Sequence, residues 1–335
     1  MADVPWCSLD SLGNLELLGE GGEAEVFSCG AHPLLVFKRF RDSVAGEISS
    51  TGLLDTIELQ GRLKGDDLDF VRERTVWPKT VVKDGERLVG YLMDRIRSQF
   101  FCQHGRRGGA LTSAQDWNKL TYRDRVFANP NLETTMVNLS LSDRSEDLRH
   151  LLSDVAKLFD ILHGTDVVIG DVSGRNLMWT CDPRPAVLLI DCDGLRARGT
   201  RAVTLAKQSP DWVDPVHQNE TGIDSDLYKL ALVMYRAYFS VEVALPIDHG
   251  SPPSDPFDAE LLELARRGTA TSGRTTAGEW VNFFDRFESE REERLRRSRI
   301  AARGQMDWRD GIHEPISDLP PIRKRERDPL DWRTS

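Results

Sequence analysis

The sequence predicts an α+β protein in two parts, with strands in the first third and helices in the rest. Three observations predict it. LELLGEGGEAEVFSC places apolar runs on both sides of a Gly-rich turn, a hairpin signal. TVVKDGERLVGYLMDRI repeats the pattern with Asp84-Gly85 at the turn. Beyond these hairpins the apolar residues recur at helical spacing, most clearly in SEDLRHLLSDVAKLFDILHG and DLYKLALVMYRAYF.

Taken in order, the first hairpin is followed by LLVFKRF, a short apolar strand carrying Lys38. LLDTIELQGRL spaces Leu54, Ile57 and Leu63 as a helix does, and the second hairpin follows. From Arg97 to Asn138 the pattern is weak: HGRRGGA reads as a loop, with a short helix near Trp117. The next helix has a stripe of Leu148, Leu151, Leu152, Val155, Leu158, Phe159 and Leu162, a start at Ser145 and an end at Gly164. NLMWT and AVLLID are short strands around the turn CDPRP. From about Glu288 the chain is highly charged. ESEREERLRRSRIAARGQ reads as an exposed helix and DLPPIRKRERDPLDWRTS as extended chain.

Composition narrows the function. The chain has 335 residues and a formal net charge of −10, which argues against nucleic acid as the main partner. Its basic runs, RLRRSR and RKRER, are flanked by acids. No apolar run approaches the ~20 residues of a membrane span, and MADVPWCSLD lacks the pattern of a signal peptide. The five cysteines are scattered without CxxC spacing, as expected of reduced thiols in a cytoplasmic protein.

The motifs supply the parts that a nucleoside triphosphate requires. Glycine lets backbone N–H groups approach phosphates, and Gly19, Gly21 and Gly22 lie in the first hairpin. Lys38 offers a cation on the next strand, and Glu58 on the following helix is a candidate partner for it, with Glu47 a competitor. IGDVSGRN carries Asp171 and, five residues on, Asn176. VLLID ends in Asp191, a carboxylate directly after an apolar strand. Carboxylate and amide oxygens suit Mg²⁺, and a further carboxylate can orient an acceptor hydroxyl. Each motif alone also fits a bland role as a turn or a solvated surface. The ordered set of glycine hairpin, strand lysine, helix acid, Asp-x4-Asn and strand-end Asp is what points to phosphoryl transfer.

Over residues 15 to 284 this order resembles the protein-kinase superfamily. The resemblance implies a two-lobed fold, with an N-lobe at 1–96, a C-lobe at 97–287 and a charged tail at 288–335. It implies ATP and Mg²⁺ or Mn²⁺ as cofactors, and transfer to protein Ser or Thr hydroxyls. Gly19, Gly21, Gly22 and Val26 would cover the nucleotide, Lys38 would anchor its phosphates, and Glu58 would pair with Lys38. Met93 would stand beside adenine, with the backbone from Asp94 to Ile96 meeting it. Asp171 would be the base, Asn176 and Asp191 the metal ligands, Asp226 a brace beneath the catalytic loop and Arg274 a structural arginine. The WP…GYLM, GD…N and ID-x-D stretches resemble, more closely, bacterial kinase-like proteins of tellurite-resistance-type systems. Those are encoded with von Willebrand-type and phosphatase partners, so a protein substrate or a regulatory partner of that kind is expected.

The chain also departs from the family pattern. Ile169-Gly170 replaces His-Arg, and Ser173 replaces the catalytic-loop lysine. Cys192-Asp193 replaces Phe-Gly, leaving Asp193 as either a second metal ligand or a solvated turn residue. The metal segment could also be read one step on, as Asp193-Gly194. Val216 stands where Arg274 needs a carboxylate, which Asp211 or Asp214 could supply. Cys102 and Cys192 read as ordinary thiols, and because Cys192 would lie beside the metal site, a thiol reagent could inhibit there. A small-molecule phosphotransferase and a nucleotide-binding pseudokinase are the alternative functions.

Overall fold

Alternating apolar residues in the N-terminal third form a single sheet. The computed structural model describes residues 5–44, 46, 48–106, 109–122, 146–200, 202–203, 209–218 and 221–309. The sheet strands are β1 (Trp6–Ser8), β2 (Leu15–Glu20), β3 (Ala24–Cys29), β4 (Leu35–Phe40), β5 (Thr80–Asp84) and β6 (Arg87–Asp94). Their order is β1-β5-β6-β4-β3-β2, with β1 parallel to β5 and the other neighbours antiparallel. Gly85 takes φ +59 in the turn between β5 and β6, which suits the backbone twist of a tight hairpin.

The period of two along β4 decides where its lysine goes. Lys38 shares a face with Val36 and Phe40, which pack with Leu53, Val81, Tyr91 and Met93. Phe37 takes the other face, with Leu12, Val82 and Leu92. Lys38 sits opposite Val26 on one side and Tyr91 on the other, so its strand is internal to the sheet.

Helix α1 (Ser50–Glu58) covers the Lys38 face. The Ser49 side chain caps it by accepting from Gly52 N at 3.0 Å. Thr56 on α1 donates to Leu195 O at 2.7 Å, and Trp77 Nε1 donates to Thr56 O at 2.7 Å, which ties the helix to distant chain. Helix α2 (Gly65–Glu73) was not evident in the sequence, because Val71 is its one fully buried apolar side chain. The segment read as a loop around HGRRGGA is instead a hairpin, β7 (Phe101–Arg106) with β8 (Gly109–Ala114). The short helix expected near Trp117 is α3 (Asn118–Thr121).

The rest of the described chain is mainly helical. In α4 (Glu146–Gly164) all seven expected stripe residues are fully buried. Short strands follow: β9 (Val167–Val168), β10 (Leu177–Thr180), β11 (Ala186–Leu189) and β12 (Arg196–Ala197), paired β10 with β11 and β9 with β12. Helix α5 (Ile223–Phe239) is buried from Ser225 to Tyr238. Helix α6 (Pro256–Gly268) is capped by Asp255, whose side chain accepts from Phe257 N and Asp258 N. Helix α7 (Ala277–Arg309) runs into the charged segment expected to be helical. The chain divides once, into Met1–Arg286 and Phe287–Ser335.

No described helix is long and apolar enough to cross a membrane. All five cysteines are free. Glu47, Ser145 and the extended end of the tail lie outside the described residues.

Candidate functional site

Lys38 is the centre of the site. Its Nζ lies 3.0 Å from Asp193 Oδ2 and 3.2 Å from Asp191 Oδ1, with only 12% of the side chain exposed. Burial pulls the ammonium down, but Asp193, Tyr91 and Asp191 together hold it well above its ordinary value. Lys38 is therefore a fixed cation. The Tyr91 ring centroid is 5.7 Å from Nζ, a neighbour the sequence did not single out.

The two aspartates reach Lys38 because of how β11 ends. Asp191 adopts the left-handed conformation, φ 54 and ψ 45, which Asp tolerates better than most residues. The chain then turns through Cys192–Gly194 in a single 3-10 turn. Asp191 remains half-exposed, while Asp193 is buried against the lysine. Asp193 is thus no solvated turn residue. Glu58 is exposed on α1, and the carboxylates that hold Lys38 are those of Asp191 and Asp193, which corrects the expected Glu58–Lys38 pair. Cys192 is 2% exposed, and its thiol donates to Leu189 O at 3.3 Å. Burial pushes that thiol far up, so the expected reactivity is corrected as well.

The 169–176 loop lies beside this turn. Asn176 Nδ2 donates to Asp171 Oδ2 at 2.8 Å and to Asp171 O at 2.9 Å, which closes the loop on itself. Ile190 N donates to Asn176 O at 2.9 Å, so the loop's end is joined to the strand that delivers Asp191. Burial raises the Asp171 carboxyl, partly offset by Asn176 and Lys229, and a raised carboxyl is a stronger base. Ser173 is 2% exposed and contributes no group to the surface of the loop.

The local backbone accounts for a glycine at position 170. Its φ is +81, and Asp171 N donates to Ile169 O at 3.0 Å, giving a tight γ-turn that favours glycine. A Cβ at Gly170 would lie 2.8 Å from Arg196 Nη1. Arg196 is buried there, donating to Thr221 O and, at 2.6 Å, to Thr221 Oγ1. Asp226, fully buried on α5, accepts from Ile169 N at 2.7 Å and Gly170 N at 2.9 Å, as expected of a brace. Arg274 pairs with Asp214 through two bonds of 2.5 and 2.8 Å, which chooses Asp214 over Asp211.

The remaining candidates lie around Lys38 or at the edge of its strand. Gly19 sits opposite Val26 near the end of β2, and Gly21 N donates to Ala24 O at 2.8 Å, closing the hairpin. A Cβ would meet nothing within 4 Å at Gly19 or Gly22, so the loop surface is bare there. Arg41 steadies the turn by donating to Gly21 O at 2.9 Å. Val26, Met93 and Ile96 pack on the Lys38 face, whereas the Asp94 carboxylate is taken by Lys79 at 2.6 Å. Of the 94–96 backbone, Arg95 N is committed to Leu34 O. Lys229 is the residue that sequence reasoning missed: a buried lysine on α5 that donates to Gly170 O at 2.7 Å. Its signal was a lysine three residues after Asp226, at the start of the apolar run LALVMY.

The donor set suits a hard divalent cation: carboxylates at Asp191 and Asp193, and the Asn176 amide oxygen left over once Nδ2 is committed to Asp171. No protein-family model matches the chain, and no curated protein is significantly similar to it.

Proposed function

We propose that the chain is a two-lobed protein-kinase-like enzyme that transfers the γ-phosphoryl group of ATP to Ser or Thr hydroxyls of a protein, using Mg²⁺ or Mn²⁺. The supporting observation is the meeting of Lys38 with Asp191, 153 residues away, beside the Asp171–Asn176 pair. Sequence order alone could assemble these residue types by chance, but their convergence beside one carboxylate-bearing turn favours a single site.

In this reading Lys38 neutralises phosphate charge from a fixed position. Asn176 and Asp191 hold the divalent cation, with Asp193 as a further carboxylate beside Lys38. Bound there, the cation supplies charge stabilisation for the transferred phosphoryl group. Asp171 orients the acceptor hydroxyl and takes up its proton, helped by a carboxyl that burial makes more basic. The contribution of the chain is mainly positioning and electrostatics.

A non-catalytic nucleotide-binding role is the second reading, favoured by the burial of Ser173 where a lysine would meet phosphate. Labelled ATP with Mg²⁺ or Mn²⁺ separates the two. Label transfer by the wild type that is lost in Asp171→Asn, Asp191→Ala and Lys38→Met supports the enzyme. Tight nucleotide binding without transfer supports the scaffold.

A further inference from the structure

We propose that Lys229 is a positioning residue for phosphoryl transfer, acting on Asp171 through the Gly170 peptide. This inference rests on the kinase-like reading of the site.

The argument starts from peptide planes. Asp226 accepts from Gly170 N, which belongs to the plane joining residues 169 and 170. Lys229 donates to Gly170 O at 2.7 Å, which belongs to the plane joining 170 and 171. Two successive planes are thus held by two side chains. These side chains stand three residues apart on α5, on one face of the helix. Holding both planes fixes φ and ψ of Gly170, the residue on which the direction of Asp171 depends. The turn being held is a strained one, with φ +81 and a bond from Asp171 N to Ile169 O. Glycine has many other conformations open to it, so contacts from outside the turn are what hold it in this one. Asp226 alone holds one plane and leaves the next to the single Asp171 N to Ile169 O bond of the turn itself.

The chemistry of Lys229 points the same way. An ammonium that is 1% exposed is costly, and burial lowers its proton affinity, opposed by Asp226, Asp171 and Asp214. A methionine or leucine would fill the same helix position in an apolar core at less cost. What a lysine adds is a donor long enough to reach the Gly170 carbonyl, and a positive charge under a loop that has Gly170 and Ser173 in place of cations. Lys229 touches no reacting atom in this arrangement, so its effect is on the placement of Asp171.

The test compares full-length wild type with Lys229→Met, which keeps volume and removes the donor, and Lys229→Arg, which keeps a donor and charge. Melting and ATP binding establish that each variant is folded. The readouts are kcat and KM for ATP in label transfer, and hydrogen exchange of the 166–178 backbone. Lys229→Met is expected to lower kcat about 100-fold with KM for ATP nearly unchanged, the scale of a small misplacement of a catalytic group. Exchange at the 166–178 amides should quicken, and Lys229→Arg should recover part of both. If Lys229→Met does not fold, Lys229→Gln takes its place. A folded variant with wild-type kcat and wild-type exchange overturns the proposal. Wild type that transfers no label overturns the kinase reading instead, while the exchange comparison still decides whether Lys229 holds the loop.

Discussion

Lys38 Nζ and Asp193 Oδ2 lie 3.0 Å apart although 155 residues separate them in the chain, and both side chains are nearly buried. Removing one member strands the other in the interior. Lys38→Met should therefore cost about 3 kcal/mol of stability, near the lower end for a broken buried pair because Asp191 is half-exposed. Lys38→Met/Asp193→Leu should regain most of that loss in urea denaturation without regaining nucleotide binding. A single variant as stable as wild type would refute the pair's structural weight.

Gly90 should be intolerant of any side chain. A Cβ there would lie 2.1 Å from Lys38 O and 2.8 Å from Phe37 Cε2, so β4 would have to move away from β6. Overpacking of this kind costs about 1–3 kcal/mol. Gly90→Ala should lower the melting temperature and weaken ATP binding together, since Lys38 moves with its strand. Calorimetry and nucleotide titration on the same sample check both.

The Arg274–Asp214 pair makes a pH prediction. Burial would push Asp214 up, but the Arg274 hydrogen bonds and charge hold it below its ordinary value. A depressed carboxyl contributes stability above the unfolded value, about pH 4, and loses it as pH falls through the folded value. Wild type should therefore lose stability below about pH 4, and Arg274→Ala should lose less there, having lost about 3–5 kcal/mol at neutral pH already. Urea midpoints across that range in both proteins provide the check. Parallel curves would count against it.

Glu58→Gln should change neither stability nor transfer. Glu58 is exposed at the end of α1, and exposed substitutions of this kind stay within about 0.5 kcal/mol. A large loss of transfer in Glu58→Gln would show that the helix acid engages Lys38 during turnover.

Cys192 should resist alkylation in the folded protein. It is buried and its thiolate is strongly disfavoured, so iodoacetamide should label it only after denaturation. Peptide mapping with and without urea distinguishes this from an accessible thiol.

Local patterns are legible in the sequence alone. The α4 stripe, the two sheet hairpins and the strand bearing Lys38 follow from periodicity and turn chemistry, because these depend on residues a few positions apart. Helix α2 and the β7–β8 hairpin were not legible, because one is polar with few buried residues and the other alternates weakly around glycines. Asp171, Asn176 and Asp191 could be picked out as candidates by type and spacing. Their partners could not. Several acids compete for Lys38 and two for Arg274, and nothing in the local pattern ranks them. The left-handed turn at Asp191 brings Asp193 under Lys38, the buried Asp214 meets Arg274, and the run of α5 beneath the loop sends Lys229 to Gly170. Each choice depends on the approach of segments tens of residues apart, which packing settles and periodicity does not encode.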